Sequence, residues 1–395
     1  MIMAAFDRNQ KDFPSFAHRC LWCNGLMLMP PEISLANLHD ERRTAFTDLY
    51  RYMTDMYKAM YDHPDSYFID YNGIQEAMNG RRWGQAVISS RFHHQKERES
   101  KLWELERTLL PRMIVEFLFR HLERDKTSYF VEQLVFQKAF FKKINGKCRY
   151  KIREEAFLEL LQRCGLQVTR GTDRVFFRND RYPQMFAAID EWKKLMAPYR
   201  KGSVKYKYDA AFQHLDYRIF LPDYQITFES SQWFMSDDVV AFLTEIADML
   251  AGWGLKLKKA DSTSSIAIGC NYKGEHLVWF NQIPNFWNTY PQFRINLFRC
   301  GSPELADFEE EIRQLPNAEE VRTFCLKGLN RCRKCGCHPV PPSQLGCWAE
   351  ILGQRVNLCG GGRYIETRQF DQKSLEIMKT LLSINYRIIQ KHSKK

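Results

Sequence analysis

Long apolar runs are absent from this chain of 395 residues. No stretch of 18 or more apolar residues occurs, which argues against a membrane-spanning helix. The first residues, MIMAAFDRNQKDF, contain an early aspartate and lack a long apolar core, unlike a secretory signal. We therefore expect a cytoplasmic protein that has no membrane partner.

The well-marked enzyme motifs are also absent. The chain contains no G-x-G-x-x-G that opens a helix, no Walker loop, no H-E-x-x-H and no G-x-S-x-G. It also lacks an internal repeat of fixed period and a low-complexity segment, which disfavours a solenoid or a long disordered linker. These absences leave open whether the protein is an enzyme, because acid–base groups that meet in a cleft need not share a motif.

Twelve cysteines are present, and five of them lie close together. Those five fall in residues 331–363, RCRKCGCHPVPPSQLGCWAEILGQRVNLCGGGR. In a reducing compartment, a close group of cysteines is more typical of a metal site than of disulfides. The other seven are scattered, mostly beside apolar residues, as small buried side chains would be: Cys20, Cys23, Cys148, Cys164, Cys270, Cys300 and Cys325.

The spacing within 331–363 predicts a structural zinc site. Zinc takes four Cys or His ligands, and four thiolates close its coordination sphere. The first pair of ligands forms a C-x-x-C, and the second pair brackets a sequence that is symmetric about Gly353, so a hairpin would bring that pair together. The predicted ligands are Cys332, Cys335, Cys347 and Cys359, with Cys337 and His338 as alternates.

Other chemistry remains open for these cysteines. Cys347 and Cys359 could form a disulfide, or the thiols could be reduced and without a role. An iron–sulfur cluster ranks below zinc, because the C-x-x-C-x-C run lacks the familiar cluster spacings. A second C-x-x-C, Cys20 and Cys23, is favoured as buried thiols, and a metal site with His18 is the alternative.

The last part of the chain resembles the ends of other proteins. Residues 325–390, with the stretch ILGQRVNLCGGG, resemble the Cys-rich ending of some uncharacterised bacterial proteins. The resemblance covers about a sixth of the chain and implies no activity, so no functional residue is carried over from it.

Positive charge is concentrated in the middle of the chain. Residues 138–207 contain 18 Lys and Arg against 7 Asp and Glu, a difference of +11 that equals the net charge of the whole chain. Such a segment is typical of proteins that contact phosphates or an acidic partner. The predicted polyanion-binding residues are Arg170, Arg174, Arg178, Arg181, Lys193, Lys194, Arg200, Lys201, Lys205 and Lys207. The alternative is a solvated basic surface.

Hydrophobic periodicity predicts an α+β protein. Helices are predicted over 35–63, where the apolar residues form one stripe, and over 128–144, 235–254 and 371–390. We expect a helical N-terminal region preceded by an irregular stretch over 1–30, a helix-hairpin-helix middle, and an antiparallel sheet with helices, followed by the Cys-rich metal module and a closing helix. The predicted ranges are 1–150, 151–210, 211–330 and 331–395.

The leading hypothesis is a zinc-stabilised binding or regulatory protein whose residues 138–207 contact nucleic acid or an acidic protein. The second is an enzyme with an aromatic-lined small-molecule pocket between the helical region and the antiparallel sheet. That pocket would draw on the aromatics of DYRIF, SSQWF, HLVWF and NFWNTY, which could equally form the core. The sequence does not indicate an oligomeric state.

Overall fold

The chain forms two compact units in a computed structural model. The described residues up to 220 belong to the first unit, and those from 227 onward belong to the second. Helices combine with antiparallel sheets, so the predicted α+β class is confirmed. No helix among the described residues is long and apolar enough to cross a membrane. The structure describes residues 6–34, 40–67, 69, 107–125, 128–141, 153–197, 214–220, 227–259, 267–281, 291–331, 347–358 and 363–393.

The first unit is built around helix α2, Asp40–Asp62. The predicted apolar stripe of this helix is buried along its described part. Helix α2 packs against helix α1, Phe16–Leu26, and against a later helix, Met185–Met196. The buried stripe residues are Phe46, Leu49, Tyr50, Met53, Met56, Tyr57 and Met60.

Helix α1 corrects the prediction of an irregular stretch over 1–30. Ser15 caps its first turn, since the hydroxyl accepts a hydrogen bond from the backbone N–H of His18. Most of its residues are buried, including Arg19 and Gly25. A helix that is buried on nearly all sides shows no amphipathic stripe, so periodicity could not reveal it.

The first unit also contains a four-stranded antiparallel sheet. Helix α3, Leu110–His121, precedes its first two strands, and helix α4, Glu154–Arg163, precedes the other two. Helix α5, Met185–Met196, follows the last strand. The strands are β1 Glu123–Arg124, β2 Tyr129–Glu132, β3 Gln167–Arg170 and β4 Arg174–Arg178, and they lie in the order β1-β2-β4-β3.

Strand β2 corrects a helix predicted over 128–144. The segment begins as a strand and turns helical only at Gln133–Val135 and Phe136–Phe141. Tyr, Phe and Val favour strands, and β2 gains a partner in β4, which lies more than 40 residues later in the chain. Because β4 pairs with both β2 and β3, the predicted hairpin is part of a larger sheet. The four predicted domain ranges stay predictions.

The second unit contains a five-stranded antiparallel sheet, in the order β11-β8-β7-β6-β5. Helix α6, Asp237–Gly252, packs Phe242 against Phe293 of this sheet, with ring centroids 5.2 Å apart. The long closing helix, labelled α9, also contacts the sheet. The strands are β5 Lys258–Lys259, β6 Ala267–Tyr272, β7 Glu275–Asn281, β8 Gln292–Asn296 and β11 Tyr364–Thr367, and the later helices are α7 Pro303–Arg313, α8 Ala318–Gly328 and α9 Gln372–His392.

A separate hairpin joins strand β9, Cys347–Ile351, to strand β10, Gln354–Leu358. Its two-residue turn has positive φ at both positions, 49° at Leu352 and 71° at Gly353, as a type I′ turn requires. The centre of the hairpin therefore lies between residues 352 and 353, not at Gly353 as predicted. Cys347 consequently pairs with Leu358, which corrects the expectation that it faces position 359.

Candidate functional site

The sheet of the first unit carries three of the six described cations of the predicted basic surface. Along the chain the described elements are α3, β1, β2, the helical turns over 133–141, α4, β3 and β4. Strand β4 lies between β2 and β3, and a short turn at Gly171 joins β3 to β4. The backbone N–H of Gly171 donates to the carbonyl of Arg174 over 2.7 Å, which closes this turn.

Three predicted arginines lie on or beside this turn. Arg174 and Arg178 occupy alternate positions of β4 and share one face of the sheet, while Arg170 ends β3 and is exposed. The guanidinium of Arg174 lies 4.2 Å from the ring centroid of Phe130 and 4.0 Å from Asp173. The β3–β4 turn therefore presents several cations on two short strands.

The ion pairs of these arginines are exposed to solvent. Arg178 lies 2.5 Å from Asp180, and the two side chains are 75% and 50% exposed. Exposed pairs of this kind contribute about 0–1 kcal/mol. A phosphate could therefore replace the carboxylate partner at little cost.

Arg181 has a different environment, because it forms part of a contact with helix α2. Its guanidinium lies 2.7 Å from Asp55, and the hydroxyl of Tyr182 donates to the same carboxylate. Partial burial, together with that hydrogen bond, raises the pKa of Tyr182 to about 12. Arg181 is thus held by its own unit, although it is largely exposed.

The two predicted lysines of α5 contact other groups of the first unit. Lys193 donates to the backbone carbonyl of Leu122, and Lys194 lies 3.1 Å from Glu191 on the same helix. Both ammonium groups therefore already have a partner within the first unit. The other predicted cations, Arg200, Lys201, Lys205 and Lys207, lie outside the described residues.

The exposed surface of helix α4 is partly acidic. Glu155 and Glu159 are exposed, and Arg163 donates to the carbonyl of Ser66 over 3.0 Å. Two further exposed cations, Lys138 and Arg153, were not selected from the sequence. Both lie within the basic segment, so its charge excess already included them.

The predicted zinc site lies mostly outside the described residues. Cys332, Cys335, Cys337, His338 and Cys359 lie outside the described residues, and only the backbone of Cys347 is described, at the start of β9. Within the described ranges no group of three or more His, Cys, Asp or Glu side chains could hold a metal ion. The zinc site stays a prediction.

The second C-x-x-C lies on helix α1 and is buried. Burial raises the pKa of the Cys20 thiol to about 12 and raises the pKa of Cys23 further. The ring of His18 lies 2.8 Å from the hydroxyl of Ser15. Buried protonated thiols fit the favoured interpretation of these two cysteines, because nucleophiles and metal ligands are thiolates.

Three of the aromatics considered for a small-molecule pocket, Tyr217, Phe234 and Phe280, are core residues, while Trp233 and Trp279 are half-buried. Tyr217 packs against Phe46 and Trp192 in the first unit, with ring centroids 4.4 Å and 5.5 Å apart. Phe234 and Phe280 are buried in the second unit. Residues 285–290 lie outside the described part of the chain.

No family model matches this chain, and no curated protein or solved structure is significantly similar to it. The candidate site is therefore defined by its own residues: a central strand β4, a short β3–β4 turn and exposed arginines on both strands.

Proposed function

We propose that the first unit binds duplex nucleic acid in the manner of a winged helix. A winged helix has the element order helix, strand, helix, helix, strand, strand, and its last strand lies between the other two. The described elements of residues 110–178 follow this order, with the two-residue strand β1 added before β2. The observation that carries the proposal is the strand order β2-β4-β3. In this correspondence the β3–β4 turn is the wing, and α4 is the helix presented to the groove.

Charge supports contact mainly through the phosphates. Arg170, Arg174 and Arg178 are on or beside the wing, where the partners of the last two are acidic residues at exposed positions. The segment 142–152, which leads into α4, contains five basic residues and no acidic one. Phosphate contacts position a protein on the duplex without reading its sequence.

The acidic residues of α4 shape the expected specificity. Glu155 and Glu159 would repel phosphates, although carboxylates can accept hydrogen bonds from cytosine in the major groove. We therefore expect affinity to come chiefly from the wing and from residues 142–153, with modest discrimination between sequences.

The test is the salt dependence of duplex binding, measured by fluorescence anisotropy on the full chain. The slope of log K against log salt is negative, and each lost phosphate contact makes it less steep by about 0.9. The variant R170Q/R174Q/R178Q should therefore bind more weakly, with a slope that is less steep by about 3. The matched control neutralises three exposed arginines of the second unit: Arg313, Arg355 and Arg387.

The control variant should bind with the affinity of the natural chain. The proposal is wrong if the natural chain does not bind a duplex at low salt, or if the wing variant and the control change the slope equally. Circular dichroism of both variants establishes that the comparison is made on folded protein.

A further inference from the structure

The second unit contains a cleft lined by charged residues. A cleft of about 680 Å³ opens beside the end of strand β8, the first turn of α7 and the last turn of α9. Its volume falls within the range of about 300–1,000 Å³ that is typical of small-molecule sites. The β6–β7 turn contributes Lys273 and Glu275 to the lining.

Two arginines line this cleft without a carboxylate partner in the described part of the chain. Neither Arg299 nor Arg363 has an acidic group within ion-pair distance there. Two other arginines of this unit do have a carboxylate partner, since Arg294 and Arg368 lie 3.6 Å and 3.0 Å from Glu366. A pair of uncompensated guanidinium groups at a concave surface is suited to bind an oxyanion.

The backbone holds both arginines in place. The N–H of Ser302 donates to the carbonyl of Arg299 over 3.0 Å, and Gly301 has the positive φ of 75° that such a tight turn needs. The carbonyl of Arg363 accepts a hydrogen bond of 2.9 Å from the N–H of Leu297. The two residues are therefore attached to neighbouring backbone segments at one edge of the sheet.

The first turn of α7 adds to the site. Ser302 caps this helix, since its hydroxyl accepts a hydrogen bond from the N–H of Leu305. Helix N-termini favour negative charge. A hydroxyl and the positive end of a helix thus lie in the same cleft as Arg299 and Arg363.

His392 lies on the opposite helix and is positioned by two carboxylates. Its Nε2 is 2.7 Å from Asp307, and its Nδ1 is 3.6 Å from Glu304. Lys391 and His392 hydrogen-bond to Asp307 and lower the pKa of that carboxyl. The hydrogen bond of Ser302 is the main cause of the lowered pKa of Glu304. Both carboxylates therefore stay charged and orient a ring that is only 16% exposed.

We propose that this cleft binds a small metabolite that carries both an oxyanion group and hydroxyl groups. Arg299 and Arg363 bind the phosphate or carboxylate, and Glu275 and Glu304 accept hydrogen bonds from the hydroxyls. The two glutamates disfavour a long polyanion, because they would face its repeated negative charges. The ligand is thus a different chemical class from the nucleic acid of the first unit, and the two proposals stand independently.

The test is calorimetric titration of the full chain with glycerol 3-phosphate, with malate as a hydroxylated carboxylate, and with glycerol as the neutral probe. We expect one of the two acids to bind and glycerol not to bind. R299Q and R363Q should each weaken binding by about tenfold, and the double variant by about a hundredfold. Binding of glycerol 3-phosphate or of malate identifies the oxyanion as phosphate or carboxylate.

Two controls separate this site from other basic surfaces. R313Q removes an arginine that is already paired with Glu310 on the same helix, and it should bind the acid as the natural chain does. The wing variant R170Q/R174Q/R178Q should do the same, whether or not the first unit binds nucleic acid. The proposal is overturned if neither acid binds, if glycerol binds equally well, or if the double variant retains full affinity.

Discussion

At the scale of single residues, the first unit contains a buried histidine whose pKa is strongly lowered. His214 is 1% exposed, and its Nδ1 lies 3.2 Å from the carbonyl of Met27. Burial lowers the pKa of this histidine from 6.5 to about 3. The ring is therefore neutral in the folded chain over the whole physiological range.

We expect His214 to make the first unit sensitive to acid. Its folded pKa lies below its unfolded value of 6.5, so the unfolded chain takes up the proton first as the pH falls. The stability that it contributes is complete above pH 6.5 and is lost progressively as the pH falls toward 3. Within this window the free energy of unfolding should fall by about 1.4 kcal/mol per pH unit.

The measurement compares chemical denaturation of the natural chain and H214Q at several values of pH. The free energy of unfolding of the variant should lack this part of the pH dependence. The contributions of carboxylates, which both proteins share, cancel when the two free energies are subtracted. An NMR titration gives a second readout that does not depend on how well the variant folds. If the ring resonances of His214 titrate near pH 6.5, the explanation is wrong.

Residue environments could be predicted from sequence only in part. The apolar flanks of Cys20 and Cys23 indicated buried thiols, and the structure buries both. By contrast, no local pattern marks Asp55 of α2 as the partner of Arg181 and Tyr182. That contact depends on how distant segments pack, which one sequence does not reveal.

At the scale of elements, strongly amphipathic helices were the easiest to predict. Helices α2, α6 and α9 have an apolar face against their unit and follow the predicted segments closely. Strand β2 was predicted as helix because its pairing with β4 is long-range. The β9–β10 turn was displaced by half a residue, since a type I′ turn has two central residues.

The contact of α8 with strand β11 leads to a second stability prediction. A Cβ at Gly328 would lie 2.6 Å from the carbonyl oxygen of Glu366 and 3.0 Å from Cγ2 of Ile365. Because the nearest atom belongs to the backbone, the strand would have to move. G328A should lower the free energy of unfolding by about 1–3 kcal/mol.

A matched control exists at the end of α6. A Cβ at Gly252 would meet no atom within 4 Å, so G252A should be neutral or stabilise the chain by up to about 1 kcal/mol. Both variants are measured by urea denaturation. Equal effects of the two substitutions would contradict the close approach of α8 and β11.

At the scale of the whole molecule, the net positive charge and the clustered cysteines lie in different regions of the chain. The segment 138–207 accounts for the full net charge of +11. Composition located this excess but could not show which cations already have partners. The charge excess pointed to the wing arginines, whereas Arg299 and Arg363 lie in a region without a charge excess. Only the structure shows the cleft that these two arginines line.

The predicted zinc site also belongs to this scale, because its ligands would connect the C-x-x-C at 332–335 to the hairpin that begins at Cys347. The β9–β10 register removes one argument for it, since Cys347 pairs with Leu358 and not with position 359. The C-x-x-C of Cys332 and Cys335 and the clustering of five cysteines remain. We therefore expect about one zinc ion per chain purified under reducing conditions.

Elemental analysis of the natural chain and of C332S/C335S tests this expectation. The double variant should lose the metal and melt at a lower temperature, because metal that binds only the folded state stabilises it. C300S is the matched control, since Cys300 is partly exposed and lies outside the cluster, and it should retain the zinc. Absence of metal from the natural chain would mean that the five cysteines act as thiols or disulfides, and thiol titration with and without reductant would then distinguish these two states.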